Sequence, residues 1–124
     1  MSLLVAFALS MPCPTCSLAY PKEIIESHSE QNRIRAMYGY GPLRFDRSLQ
    51  IKAQRHAEWM ASTGRYEHSG EISEIIHRGP TTAREAFHGY HYSPAHFSVM
   101  FSGTRTGHGH SFVRGIHYWA TLVR

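Results

Sequence analysis

A chain of 124 residues holds one domain and hardly two, and its 42% apolar and 18% charged residues, with no low-complexity tract or repeat, exclude a disordered or fibrous protein. The formal charge of +4 comes from basic residues, mostly arginine, spread from Lys22 to Arg124, and spread charge argues against a nucleic-acid surface. Ten histidines, eight of them from His68 onward, make that charge sensitive to pH near 6.

Residues 1–19 read as an export signal. They carry no charged side chain, and residues 3–9 form an apolar run too short to span a bilayer as a helix. Ser17-Leu18-Ala19 places small residues at the spacing a signal peptidase prefers, so cleavage leaves Tyr20 first and residues 20–124 as a single domain with no transmembrane span. No Lys or Arg precedes the apolar run, and an uncleaved tail is the alternative. Cys13 and Cys16 both fall in this segment. A Cys-Pro-Thr-Cys stretch suits a redox pair or half of a zinc site, but no second half follows. Without the signal the protein has no cysteine, and packing alone must hold it together.

From Pro21 the pattern is globular. Residues 22–37 lack breakers and are rich in helix formers, although their apolar spacing is untidy, and Gly39-Tyr40-Gly41-Pro42 ends the helix. Asp46 is placed to cap a second helix, whose Leu49, Ala53, His56, Ala57 and Met60 recur on one face, with Gly64 suited to its C-terminus. Residues 65–79 read as a loop carrying His68 and Glu74. Thr82 and Glu85 form a capping box before a third helix over residues 83–92. Ser93 and Pro94 then suit the N-cap and first position of another helical turn, which places His96 third. A helix N-terminus disfavours the imidazolium, so His96 is expected to be neutral. Residues 105–113 and 116–123 read as strands joined by a turn at Arg114-Gly115, the second buried on both faces. Helices followed by a sheet covered on both sides give an α+β layered sandwich.

Several of these pieces have a familiar order. Gln31-Asn32-Arg33-Ile34-Arg35 resembles an "H-N-x-x-R" motif with Gln for His, and Gly41-Pro42-Leu43-Arg44-Phe45-Asp46 resembles "P-L-x-W-D" with Phe45 for Trp. Glu67-His68-Ser69-Gly70 matches "H-S". Glu74-Ile75-Ile76-His77-Arg78-Gly79 keeps the spacing of "E-N-I-x-x-G" with Ile75 for Asn. Tyr90 through His96 keeps that of "W-x-x-S-P-x-H", with Tyr90 for Trp. Gly107-His108-Gly109 and Tyr118-Trp119 resemble closing "G-x-G" and "Y-W" strands. Together they resemble the CAP superfamily of cysteine-rich secretory, antigen 5 and pathogenesis-related proteins (SCP domains), in its bacterial form. The resemblance implies a three-layer α-β-α sandwich and a secreted, extracellular or periplasmic protein.

It also implies a cleft with two histidines, here His68 and His96, a first acid at Glu74, and Ser93 where a second acid stands in other members. His68 and His96 are the implied metal ligands. Zinc held by two histidines is short of protein ligands, so the site is expected to be open and weak. Water or Glu74 completes the shell, or Glu74 orients one imidazole from behind. Glu71 competes for the acid position. The same three groups also read as a hydrogen-bonded cluster pinning the loop.

Three functions remain open. One is a secreted binding module for a divalent metal, or for a lipid or sterol, a polysaccharide or a protein. Another is a metal-dependent hydrolase using the same cleft, for which the chain supplies few groups. The third is an interaction protein with a vestigial cleft. Catalysis is the less expected outcome. Other histidines read first as structural or surface groups: His56 as a core residue, His88 and His91 as a helix-surface pair close enough to chelate, and His108 with His110 as a pair on one strand face that could bind a metal but sits near an edge or bulge. Trp59 and Trp119 read as packing.

Overall fold

The computed structural model describes residues 20–91 and 94–124, and of residues 91, 94 and 95 the backbone alone. The elements run α1 (Lys22–Met37), β1 (Arg44–Phe45), α2 (Arg47–Thr63), β2 (Glu74–Arg78), α3 (Ala83–His91), α4 (Pro94–Met100), β3 (Arg105–Val113) and β4 (Ile116–Val123). The expected export signal, Cys13, Cys16, Tyr92 and Ser93 lie outside the described residues. No described helix is long and apolar enough to cross a membrane.

The untidy apolar pattern of α1 has a physical explanation. Its inward stripe is Ile24, Ser27, Gln31, Ile34 and Arg35, a helical spacing in which three positions are polar. Arg35 is buried because its guanidinium donates to the carbonyls of Gly41 (2.8 Å), Met100 (2.9 Å) and Ser102 (3.1 Å). Next to it, Asn32 clamps Leu43: the side-chain amide donates to Leu43 O (3.1 Å) and accepts from Leu43 N (2.8 Å). Two adjacent motif positions thus tie α1 to the following turn and to the end of α4.

Helix α2 starts and stops where its caps dictate. Asp46 accepts from Leu49 N at 3.0 Å, and Gly64 closes the helix in the left-handed region, donating to Met60 O at 2.8 Å. The Thr82 hydroxyl accepts from Glu85 N at 3.2 Å, as a capping box requires. The Glu85 carboxylate, however, accepts from the backbone and hydroxyl of Thr81, one residue upstream.

The sheet has strand order β1-β3-β4-β2, with β1 parallel to β3 and the other pairs antiparallel. Its two faces carry separate cores, which makes the three-layer α-β-α sandwich. On one face α2 packs Leu49, Ala53, Ala57, Met60 and Ala61 against Ile76, Tyr118, Ala120 and Leu122. On the other, Ile34, Ala83, Ala86, Phe87, Tyr90 and Met100 surround Ile75 and Trp119. Trp119 is packing, as expected, and its indole N–H donates to Pro80 O at 2.7 Å.

Two expectations change. Residues 65–79 are not all loop, because Glu74–Arg78 form β2, which pairs with β4 from Glu74 opposite Leu122 to Arg78 opposite Tyr118. A five-residue strand with two consecutive isoleucines has no clean alternation. It is a strand because β4 supplies the hydrogen bonds, and each isoleucine enters a different core. Gly107 and Gly109 mark no bulge, since the β3–β4 register runs through them unbroken, and they lie beyond the two-residue pairing of β3 with β1. A Cβ at either position would overlap the backbone of α2, at Leu49 and Gln50 or at Ala53 and Gln54. The glycines let that helix lie directly on the sheet.

Candidate functional site

The loop before β2 wraps around one carboxylate. Glu74 begins β2, and its side chain is 1% exposed. Oε1 lies 2.9 Å from His68 Nδ1 and accepts from the Ser69 backbone N–H at 2.8 Å, while Oε2 accepts from the Ser69 hydroxyl. Both carboxylate oxygens are therefore engaged by the two residues of the His-Ser pair. Glu74 orients the His68 ring through Nδ1 and leaves Nε2 facing outward on a side chain that is 60% exposed. Glu71, the other candidate acid, points elsewhere: it pairs with Arg124 at 2.7 Å and Lys52 at 3.5 Å.

His96, in the first turn of α4, lies within electrostatic range of His68. Its Nδ1 is buried and has no hydrogen-bond partner among the described residues. Burial, with the imidazoles of His77 and His68, holds His96 below the ordinary histidine range. Desolvation and the neighbouring rings thus act in the same direction as the helix end, towards the neutral imidazole. Ser93, the fourth cleft position, is outside the described residues.

Sequence reasoning missed His77 as a member of this neighbourhood. From the middle of β2 its ring reaches Tyr90 (5.4 Å between centroids), which also meets His96 (5.3 Å). Burial lowers the His77 pKa against an opposing backbone interaction at Ala86, and its Nδ1, like the Tyr90 hydroxyl, is buried without a partner among the described residues. The signal was the period of two: on a strand, His77 shares a face with Ile75, which enters the core around Tyr90. Once residues 74–78 were read as loop, that signal had no meaning.

Beside His68 opens a groove of about 400 Å³ lined by His56, Trp59, Glu67, His68 and Ser69. His56 is buried, as expected of a core position, yet it also forms the groove floor, with Nε2 2.6 Å from Glu67 O. Trp59 is not core packing: it is 37% exposed, stacks on His56 at 5.5 Å and lies under the Arg65 guanidinium at 5.6 Å. Its position on α2, next to the apolar stripe rather than on it, puts it at the rim. His108 and His110 do not act together. His108 is buried with Nδ1 2.9 Å from Thr121 Oγ1, whereas His110 meets His117. His88 is exposed, and the His91 side chain is outside the described residues.

The sequence profile of the cysteine-rich secretory protein (CAP) family matches residues 28–123, which span every element from the middle of α1 to the end of β4. This chain belongs to the CAP family. Among curated proteins, none matches the sequence. Solved structures share its fold. An outer surface protein of Borrelia burgdorferi superposes with a TM-score of 0.70 at 16% identity, over 83% of this chain and 92% of that one. An extracellular SCP-domain protein of Bacillus anthracis gives 0.68 at 15% identity, over 82% of this chain and 40% of that one. A cysteine-rich secretory protein of Staphylococcus aureus gives 0.59 at 18%, over 84% and 39%. This CAP domain thus corresponds to about two fifths of the length of the Bacillus and Staphylococcus proteins.

The donor chemistry of this CAP domain suits an open metal site. Two imidazoles lie within electrostatic range, one oriented by a buried carboxylate and the other carrying a buried nitrogen without a partner among the described residues. Among the described residues no three His, Cys, Asp or Glu side chains are grouped to hold a metal ion. The described residues therefore offer two ligands, and a four-coordinate ion would need water or a bound molecule for the rest.

Proposed function

We propose that this chain is a secreted CAP domain, extracellular or periplasmic, that binds rather than transforms its ligand. In this reading His68 Nε2 and His96 hold a divalent metal, zinc by donor type, in an open and weak site. When bound, the ion supplies a Lewis-acidic anchor for an oxygen of the ligand or partner, and the adjoining groove receives the remainder. The observation that carries this reading is the engagement of Glu74 by His68 and Ser69, which presents an oriented imidazole outward beside a second neutral one.

The same observation weighs against a hydrolase. Both Glu74 oxygens are committed, so no described carboxylate of the cluster is left to act as a general base. The groove favours a polar ligand, such as a polysaccharide or a protein segment, over a sterol or lipid tail. Four of its five lining residues are polar, and Trp59 itself is engaged by the His56 ring and the Arg65 guanidinium. The domain boundary at Tyr20 and removal of the export signal belong to the same proposal.

Calorimetric titration of Zn²⁺ into the full chain and into its H68A/H96A variant tests it. The expected result is one equivalent more in the parent than in the variant. Equal binding by both chains would leave the cluster as loop scaffolding and turn the search for a ligand to the outer surface.

A further inference from the structure

The far end of the sheet carries a second pair of imidazoles. His110 on β3 and His117 on β4 are brought together by the hairpin register, in which His110 faces Trp119 and Phe112 faces His117. The two histidines are therefore diagonal neighbours on one sheet face, within reach of each other's side chains. His110 Nε2 lies 2.8 Å from His117 Nδ1. One ring must donate and the other accept, so a single proton sits between two nitrogens that are both basic when neutral.

The surroundings hold both rings in place. His110 packs on Trp119 at 4.2 Å between centroids, and Phe112 stacks on His117 at 4.2 Å. Gln54 of α2 locks the backbone of His110 from the other face, accepting from its N–H at 2.9 Å and donating to its carbonyl at 2.8 Å. The rings are half-buried, so ions reach them from solvent. Glu23 at the start of α1 acts on His110 electrostatically, adding negative charge at the same place.

We infer that His110 Nε2 and His117 Nδ1 form a bidentate site for a divalent transition-metal ion at the β3–β4 hairpin, separate from the cleft of His68 and His96. Two neutral imidazoles whose nitrogens already lie a hydrogen bond apart need only a small separation to share one ion. The N–H between them moves to the remote nitrogen of its own ring by exchange with water, so both lone pairs face the metal and no net proton is lost. Imidazole donors select copper, nickel and zinc, and copper binds most tightly of the three. Water completes the shell, because the described residues form no group of three donors.

The test is titration of Cu²⁺ into the full chain carrying C13S, C16S, H68A and H96A. These replacements silence the thiols and the cleft, so failure of the cleft proposal does not affect the outcome. Imidazole signals are followed by nitrogen NMR while binding is measured by calorimetry. The ring signals of His110 and His117 should broaden first and together, and H110Q or H117Q should each lower the affinity at least tenfold. Signals from these two rings that outlast those of the other histidines would overturn the inference, as would undiminished affinity in either folded variant. Should a variant fail to fold, as judged by circular dichroism, the order of broadening in the parent decides.

Discussion

Replacing Glu74 with alanine separates the loop-holding role of this carboxylate from any ligand bound nearby. The side chain is 1% exposed and engages three donors. Hydrogen bonds to a charged group each contribute roughly 1.5–3 kcal/mol. Two of the donors, the His68 ring and the Ser69 hydroxyl, lie on exposed residues and regain water when the carboxylate is removed. Removal also relieves the cost of burying a charge. The net loss is then about 2 kcal/mol, dominated by release of the loop. An unfolding entropy near 2.1 cal/mol/K per residue gives about 0.25 kcal/mol/K for a chain this long, so Tm should fall by roughly 8 °C. E74Q keeps an oxygen for the Ser69 N–H and should lose about half as much. H68A should lose under about 1 kcal/mol, because the His68 side chain is mostly solvated and the Ser69 N–H still engages the carboxylate. Differential scanning calorimetry without added metal measures all three. A Tm for E74A within about 2 °C of the parent would refute the view that Glu74 holds the loop.

Other perturbations reach the frame around the site. Asn32→Ala strips both partners from the backbone of buried Leu43 and should cost about 2–3 kcal/mol in urea denaturation; a loss below about 1 kcal/mol would mean that water replaces the clamp. Gly109→Ala drives a methyl group into the backbone of α2 and should cost about 3 kcal/mol, and an unchanged urea midpoint would contradict the close helix–sheet contact. Burial, and secondarily His28, lowers the His108 pKa to about 3. An unfolded histidine titrates near ~6.5, so the unfolded chain takes up this proton first as pH falls. The contribution is whole above pH ~6.5 and is lost on the way down towards about 3, amounting to about 2 kcal/mol by pH ~5. Denaturation midpoints that match at neutral pH and at pH ~5, or a His108 ring titrating near ~6 by NMR, would refute it.

What was legible in the chain was local. Helices α1 and α2 were readable because their limits are set by neighbours in sequence: Asp46 caps Leu49, Gly64 takes a left-handed turn, and Arg114-Gly115 makes the two-residue hairpin. His68, Glu74 and His96 were placed by motif spacing, and the bond between the first two lies within one loop, six residues apart. Strand β2 was not legible, because its hydrogen bonds come from β4, forty or more residues later. With β2 misread, His77 could not be assigned a face, so its approach to Tyr90 and His96 stayed hidden. The same holds for Gly107 and Gly109, which look like breakers until α2 lies across them, and for His110, whose partner is set by hairpin register rather than by strand period.

The sequence by itself determined the helix limits, the hairpin and the order of the cleft motifs, because caps, turns and short loops act within a few residues. Only the tertiary structure decided which carboxylate faces His68, which histidines meet and why two glycines sit in a strand. Those outcomes depend on contacts between segments far apart in the chain, whose geometry is set when both faces of the sheet are covered at once.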